Sequence, residues 1–372
     1  MAGYIMTLDS LESLKECVQT GTYSTILSNP KNDYWNKQQE GTFADYLSMK
    51  SNDNIYFFIK RKIYGIGKLV DINMDCKYLN YTGADNPIVP SDIKFKESVP
   101  LLSKSNKSNR CLCIFEPSPY FFMDGIDMDE ALSSNPSKFR MLRALWKLSF
   151  IKVDDDENQA LIDIIMKRNE NQLYKGERVF KFTKKVHNEI KNNVLHKHRL
   201  NSKGLLNASS DGNLIKHEMA IEAALCELLI TNTISPFGKW DYISHQVVAS
   251  PFKAIDYMDK MDIFGYKYIE GYKIRSKYIV IEVKKGRANV EVIEQIMKYV
   301  DWIRSEYAFG DYSMIEAYVV AAEFPKEIIE RRDKECIRNF TKGYRPTIAC
   351  TWDFVKLIQY SYKYEKLNFK EI

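Results

Sequence analysis

The chain has 372 residues, of which 45% are hydrophobic and 28% are charged, as in a soluble globular protein with room for two domains. No apolar run approaches the roughly 20 residues of a membrane span, and the N-terminus lacks the apolar stretch of a signal peptide. We therefore expect a cytoplasmic protein with no membrane partner. Seven cysteines without a C-x-x-C pair argue against a disulfide framework or a zinc knuckle.

The first 170 residues alternate predicted strands with two later helices. Runs of β-branched and aromatic residues predict the strands, and helical periodicity predicts the helices. The strands are predicted at 54–60, 62–72 and 111–116, and the helices at 139–146 and 157–168. Acidic residues 154–156 precede the second helix, where negative charge stabilises a helix N-terminus.

Three features of this region are Tyr34-Trp35, the segment 41–45, and the strand pair 56–67 with a closing strand at 150–154. Together they resemble PUA-like domains of the EVE and YTH type. The resemblance implies a mixed β-barrel with helices over residues 1–170, which would recognise a modified base, a DNA end or a partner protein. The implied ligand-pocket residues are Trp35, Tyr120, Phe122 and Trp146. The alternative is that these aromatic side chains fill the core.

Residues 171–213 are expected to form a basic helical linker. Between 172 and 203 there are nine Lys or Arg residues and two acidic residues. Apolar positions from Val179 to Ile190 predict a helix, whereas 201–213 reads as a loop. Such basic clusters contact phosphates, which makes Lys181, Lys184 and Lys185 candidates for nucleic-acid binding. Two other interpretations of the basic residues remain: a solvated helix face, or a surface that binds an acidic protein partner.

The region 214–372 carries the most informative pattern. A helix is predicted from Leu214 to Leu229, with Glu218 and Glu222 on one face, and another helix after Asn289 as N-cap. Strands are predicted at 262–269, 276–284, 314–321 and 347–352, and further helices at 327–338 and 353–363. The strand 314–321 should lie parallel to 276–284 through a β-α-β crossover.

Alternation along a strand places Glu282 and Lys284 on one face. If 262–269 and 276–284 form a hairpin turning near Gly271, Asp262 comes beside Glu282. Two carboxylates and an ammonium group at a sheet edge suit a hard cation with a water beside it. Gln295 lies within the apolar stripe of its helix, where an unpaired amide costs about 1–3 kcal/mol.

Asp262, the motif Glu282-x-Lys284, and the helix pattern Gln295-x-x-x-Tyr299-x-x-Trp302 resemble the PD-(D/E)xK, or restriction-endonuclease-like, nuclease superfamily. The likeness covers about residues 215–325 and is nearest to mismatch, branched-DNA and anti-phage nucleases. Met261 stands where the family name has proline. The resemblance implies a mixed sheet flanked by helices over residues 214–372. It also implies that Gln295 orients Lys284, and that Glu218 rather than Glu222 adds a further acidic group.

The predicted fold is thus α+β or α/β in two domains. The predicted catalytic residues are Asp262, Glu282, Lys284, Gln295 and Glu218, and the predicted ligands of Mg²⁺ or Mn²⁺ are Asp262, Glu282 and the carbonyl of Val283. Lys285 and Arg287 are further candidates for DNA contact.

The function expected from these residues is that of a metal-dependent DNA endonuclease in prokaryotic anti-phage defence or restriction. The N-terminal region would act as its sensor. Cutting both strands would require a homo-oligomer or two binding events. The alternatives are a DNA-repair nuclease, an inactive nuclease fold that binds DNA, and an interaction protein. For the motif Glu282-x-Lys284 itself, the alternative is that both residues are solvated charges on a half-buried strand.

Overall fold

In the computed structural model the described residues are 1–27, 37–82, 94–95, 109–139, 150–231, 234–249 and 259–372. Trp35, Trp146 and nearly all of the predicted helix 139–146 lie outside them. The chain divides into two compact units, Met1–Asn201 and Ser202–Ile372. Both units mix strands and helices, which confirms the α+β class. None of the helices in the described part combines the length and apolar character needed to cross a bilayer.

The first unit is built on a mixed sheet. Its strands are β1 (Gly3–Thr7), β2 (Thr22–Leu27), β3 (Asn54–Ile59), β4 (Lys62–Leu69), β5 (Lys77–Leu79), β6 (Tyr81–Thr82), β7 (Lys94–Phe95), β8 (Asn109–Pro117), β9 (Ile126–Asp127) and β10 (Phe150–Val153). Its helices are α1 (Leu11–Thr20), α2 (Lys37–Leu47), α3 (Met128–Ser134), α4 (Asp155–Arg168), α5 (Glu170–Lys175), α6 (Lys185–Asn193) and a 3₁₀ turn (His196–His198). The strand order is β10-β1-β3-β4-β8-β2, with β5 beside β8 and β9 beside β4.

The predicted strands of the first unit are confirmed as β3, β4 and β8, and the second predicted helix as α4. The start of α4 follows from its sequence, because Asp154 accepts a hydrogen bond from the Glu157 amide at 2.9 Å. The Glu157 side chain accepts one from the Asp154 amide in return. This capping box satisfies two amides that a helix start leaves unpaired.

Phe122 is a core residue rather than a pocket residue. It is 1% exposed and packs in one apolar cluster with Tyr56, Ile66 and Ile165. Tyr120 lies half-buried against the same cluster. Phe122 therefore fills the core, because its ring packs against strands and α4.

The basic segment is helical over a shorter range than its periodicity predicts. Residues 176–184 contain no helix, since the Phe180 amide donates to the Phe121 carbonyl at 2.8 Å instead of to its own chain. Helix α6 begins at Lys185 and buries Val186 and Ile190 in a cluster with Tyr78. Residues 171–201 thus belong to the first unit, whose end lies later than the predicted boundary at 170.

Among the described residues the second unit has ten strands, of which six form one mixed sheet. Its strands are β11 (Ser210–Asp211), β12 (Leu214–Ile215), β13 (Tyr242–Val248), β14 (Lys260–Tyr268), β15 (Arg275–Arg287), β16 (Ile315–Glu323), β17 (Arg338–Lys342), β18 (Ile348–Trp352), β19 (Val355–Lys363) and β20 (Lys366–Glu371). Its helices are α7 (Ser202–Ser209), α8 (Glu218–Thr231), α9 (Glu291–Glu306), α10 (Lys326–Glu335) and a 3₁₀ turn (Tyr312–Met314). The sheet order is β13-β14-β15-β16-β19-β20.

The predicted hairpin and crossover are both confirmed. Strands β14 and β15 pair antiparallel, and the turn between them includes Gly271 at φ +82°, a conformation that favours glycine. Strand β16 then pairs parallel to β15, and α9 crosses between them with Val292, Ile296, Tyr299 and Ile303 buried. The helix starts one residue later than predicted, with Val290 rather than Asn289 at the N-cap.

Two predictions for the second unit are wrong. The segment predicted as a loop over 201–213 contains α7, because Leu205 and Leu206 are buried and hold it against the unit. The segment predicted as a closing helix over 353–363 is strand β19, which pairs parallel with β16 and antiparallel with β20. Its β-branched and aromatic residues pack well on a sheet, and Ile358 and Tyr360 are buried there.

Candidate functional site

The β14–β15 hairpin brings Asp262, Glu282 and Lys284 together. Pairing between the strands ends at Ile263 and Ile281, each one residue from a carboxylate. The Val283 amide donates to Asp262 Oδ2 at 2.8 Å, and Lys284 Nζ donates to Glu282 Oε1 at 2.6 Å. Two carboxylates and an ammonium group therefore meet where the hairpin opens.

Helix α8 contributes a third buried carboxylate, that of Glu222. Gln246 on β13 donates from Nε2 to Glu222 Oε2 at 3.2 Å and to Asp262 Oδ1 at 3.3 Å. Glu218, the acid preferred from the sequence, instead accepts from the Lys285 amide at 3.0 Å. The structure thus links Glu222 to Asp262 through Gln246 and places Glu218 one helical turn from Glu222.

The sequence of helix α8 predicts that Glu222 is buried, although the family pattern favours Glu218. Helix α8 is apolar around its circumference, and Ile221, Ala223 and Leu225 beside this glutamate are buried. A helix that is apolar all round is enclosed by the fold, so an acid within it is buried as well. Glu222 is accordingly 4% exposed, so its side chain does not face the solvent.

The three carboxylates are held in an environment that disfavours their charge. Burial, followed by the charge of Asp262, raises the pKa of Glu282 to about 8. Burial also raises the pKa of Glu222 and of Asp262. Burial alone would lower the pKa of Lys284, but the attraction of Glu282 raises it overall. Three acids and one lysine meet here, and a bound cation would favour the ionised form of their carboxyl groups.

One oxygen of the cluster receives no hydrogen bond from an N–H or O–H donor of the described residues, and it lies beside the Asp262 carboxyl group, with which Glu282 can share a proton. Glu282 is 0% exposed, and its Oε2 accepts no hydrogen bond from the described residues. A buried acceptor without a donor costs about 1–3 kcal/mol. A hard cation would satisfy it, and the Asp262 and Glu282 carboxylates with the Val283 carbonyl form the all-oxygen donor set that Mg²⁺ or Mn²⁺ prefers. The residues present therefore fit the implied metal.

A second group of possible ligands does not fit a metal. Asp71, Asp75 and Cys76 in the first unit offer atoms within 4.8 Å of one another. The Asp75 oxygens, however, accept from the Cys76 amide at 2.7 Å, Lys77 Nζ at 3.1 Å and Arg199 Nε at 3.3 Å. Burial raises the pKa of the Cys76 thiol to about 12. Because two cations already satisfy Asp75, this group is a structural ion-pair network.

Gln295 finds a partner, but it is not Lys284. Its Nε2 donates to Tyr299 Oη at 3.0 Å, and that hydroxyl donates to the Lys260 carbonyl at 2.7 Å. The need for a partner was predicted correctly and the identity of the partner was wrong, because residue i+4 on the same helix lies nearer. Burial raises the pKa of Tyr299, the hydrogen bond with Gln295 opposes this, and the charges of Glu282 and Asp262 raise it further. Gln295 and Tyr299 line a cavity of about 320 Å³ with Asp259, Glu291, Glu294 and Lys298.

The basic candidates lie at the surface. Lys285 and Arg287 are exposed at the end of β15, where Arg287 pairs with Glu323 at 3.7 Å. In the first unit Lys181, Lys184 and Lys185 are exposed, and Lys184 pairs with Glu116 at 3.1 Å.

Comparisons with known proteins give only distant similarities. No family model matches the chain, and no curated protein matches it. Protein Atu2648 from Agrobacterium tumefaciens is 11% identical with a TM-score of 0.25, over 44% of this chain and 92% of that one. A repair endonuclease from Pyrococcus abyssi is 13% identical with a TM-score of 0.18, over 84% of this chain and 96% of that one.

EndoMS, in a complex with double-stranded DNA, is 11% identical with a TM-score of 0.20, over 84% of this chain and 93% of that chain. Scores this low do not establish a shared architecture. The function of the present chain has to be inferred from the geometry of its own site.

Proposed function

We propose that the protein is a metal-dependent DNA endonuclease whose active site is the carboxylate cluster of the second unit. The observation that carries the proposal is the meeting of Asp262, Glu282 and Lys284 around the unpartnered Glu282 Oε2. Structural ion pairs satisfy their acceptors, whereas this cluster keeps a buried acceptor open. Perturbed carboxylates beside a lysine are typical of catalytic sites.

Asp262, Glu282 and the Val283 carbonyl would hold Mg²⁺ or Mn²⁺. When bound, the cation supplies Lewis-acid polarisation of the phosphate and lowers the pKa of a water molecule. Lys284 places its ammonium group beside Glu282, where it orients the attacking water and offsets negative charge that develops on the phosphate. Hydrolysis adds this water to phosphorus and releases the sugar oxygen, which takes up a proton.

The catalytic proposal is tested by cleavage of plasmid and linear DNA with the full-length chain, in Mg²⁺ or Mn²⁺ and in EDTA. We expect Glu282→Gln to abolish cleavage while the protein stays folded, because an amide cannot balance the charge of a cation. Glu316→Gln is the matched control, since Glu316 pairs with Lys267 at 3.5 Å in the same sheet and should keep full activity. Undiminished cleavage by Glu282→Gln would contradict the proposal.

Exposed basic residues would hold the DNA backbone, namely Lys181, Lys184, Lys185, Lys285 and Arg287. Each phosphate contact contributes about 0.9 to the slope of log affinity against log salt. Reversing Lys181 and Lys185 to Glu should therefore flatten the slope by about 2 for every DNA sequence. Reversing Lys15 and Lys60, also exposed in the first unit, is the control. An unchanged slope in the Lys181 and Lys185 variant would show that this segment is only solvated.

The first unit is proposed to choose the substrate, through a modified base or a DNA end, in anti-phage defence or restriction. Of the predicted pocket residues, Tyr120 stays half-buried and is available for stacking on a base. A repair nuclease is the second candidate, and cleavage that requires a mismatch in unmodified DNA would favour it. The described residues of each copy form one such site, so paired cuts in both strands would indicate a homo-oligomer.

A further inference from the structure

Gln246 occupies an irregular position in an otherwise regular strand. Its neighbours pair with β14 at His245–Ile263 and Val247–Met261, which places Gln246 across from Asp262. The backbone of Gln246 has φ +53°, in the left-handed region that residues other than glycine rarely adopt. Such a conformation costs free energy and persists where the surrounding structure holds it.

The side chain of Gln246 bridges two acids that come from different elements. One amide nitrogen carries two hydrogens, and here it donates to Glu222 on α8 and to Asp262 on β14 at 3.2 and 3.3 Å. A carboxylate oxygen accepts hydrogen bonds, and the amide nitrogen of Gln246 faces both acids. The bridge thus joins two buried acids whose burial disfavours their charged form.

Asp262 is thereby fixed through both of its oxygens. The Val283 amide binds Oδ2 at 2.8 Å, and Gln246 binds Oδ1. A ligand whose orientation is fixed by hydrogen bonds from neighbouring groups needs little reorganisation when a cation arrives, and loss of such a group typically costs 10–100-fold in metal affinity or activity. Glu222 has no other direct link to Asp262 among the hydrogen bonds of the described residues.

We propose that Gln246 is a positioning residue, whose amide spaces Glu222 from Asp262 and keeps Asp262 aimed at the cation position beside Glu282. This inference rests on the proposed function of the site. The role belongs to the amide donors rather than to the volume of the side chain. Removal of the donors should therefore change metal binding and turnover, and should leave DNA affinity unchanged.

The test measures the Mn²⁺ dissociation constant by calorimetry, together with kcat and KM for DNA, on the full chain. In Gln246→Leu, which removes the donors and leaves an apolar side chain, we expect the Mn²⁺ dissociation constant to rise about tenfold and kcat to fall about tenfold. KM for DNA should stay within twofold. Gln359→Leu is the matched control, because Gln359 donates a similar bond to the Ala322 carbonyl at 2.8 Å without touching a carboxylate.

A second variant separates positioning from folding. Gln246→Glu keeps the size and adds a negative charge, so we expect Mn²⁺ affinity equal to or higher than wild type but the same loss of kcat. Wild-type affinity and kcat in both variants would overturn the role of Gln246 and leave the nuclease proposal standing. If the wild-type chain binds Mn²⁺ without cutting DNA, the affinity measurement still decides the role of Gln246. A wild-type chain that binds no Mn²⁺ would overturn both proposals.

Discussion

Each unit contains a lysine beside a buried acid, and the two pairs differ in what surrounds them. In the first unit Lys77 lies 3.1 Å from Asp75, with the side chains 11% and 10% exposed. In the second unit Lys284 lies 2.6 Å from Glu282, with side chains 24% and 1% exposed. Burial and distance alone do not distinguish the two pairs.

The difference lies in what surrounds each acid. Lys77 also donates to the Met49 carbonyl at 2.9 Å, and Asp75 receives Arg199 as a second cation. Glu282 has Asp262 and Glu222 as neighbours and keeps Oε2 without a donor. A buried pair with satisfied atoms and balanced charge stabilises a fold, whereas a pair with an open acceptor and two further acids beside it can bind a cation.

The largest expected difference is in catalysis. Lys284→Ala should reduce the rate of DNA cleavage by about 10²–10³-fold, the usual effect of removing one group that stabilises developing charge. Lys77→Ala should leave the rate per folded molecule unchanged, because Lys77 contacts only groups of the first unit. Rates measured at matched folded fraction would check this, and equal losses in the two variants would erase the distinction.

The second difference is in stability, and here the larger effect is expected in the first unit. Asp75→Asn should destabilise the first unit by about 3 kcal/mol, since it leaves buried Lys77 without a counter-charge. Asp71→Asn serves as the control, because Asp71 is exposed. Urea denaturation of both variants would measure the free energy of unfolding. A loss below that of Asp71→Asn would show that the Asp75 network is not structural.

The third difference is in the response to a cation. At a Mg²⁺ concentration of 100 times its dissociation constant, the second unit should gain about 2.7 kcal/mol of stability. Asp262→Asn should remove the gain, and Asp71→Asn should keep it, because only the second cluster has an open acceptor. Thermal melts in MgCl₂ and in EDTA would record the shift. A gain that disappears with Asp71→Asn would move the metal site to the first unit.

The sequence predicted the part of the site that follows from local rules. Two-residue alternation and a glycine at the turn are sufficient to place Asp262 beside Glu282 and Lys284. Gln246 was missed because its role depends on a positive φ and on two acids from other elements, which one sequence does not reveal. The partner of Gln295 was also misassigned, since choosing between Tyr299 and Lys284 requires the packing of α9.

The wrong predictions of secondary structure have the same cause, because they too depend on tertiary packing. Strand β19 carries apolar residues at 355, 358 and 362, a spacing that also suits a helix, and its neighbours in the sheet decided the outcome. Helix α7 was predicted as a loop because Ser202, Gly204 and Asn207 favour turns. The burial of Leu205 and Leu206 outweighs that preference.

The smallest expected effect concerns a buried histidine of the first unit, and it tests whether burial keeps the imidazole neutral in the folded protein. His187 in the first unit donates from Nε2 to the Gly21 carbonyl at 3.1 Å, and its Nδ1 makes no hydrogen bond with the described residues but lies 3.7 Å from Glu116 Oε1. Burial lowers the pKa of this imidazole, so the folded state favours the neutral form at neutral pH. Glu116 in turn pairs with Lys184 at 3.1 Å.

The folded state therefore binds a proton at His187 less readily than the unfolded state, whose pKa is about 6.5. Stability from this group is fully present above pH 6.5 and is lost as the pH falls from there towards the lowered folded pKa. His187→Gln, which retains a donor for Gly21, should lose less stability than wild type between pH 7.5 and 5.5 in urea denaturation. His196→Gln, at an exposed position, should follow wild type. Parallel pH profiles for wild type and His187→Gln would mean that the imidazole binds a proton equally well in the folded and unfolded states, which would contradict the lowered pKa.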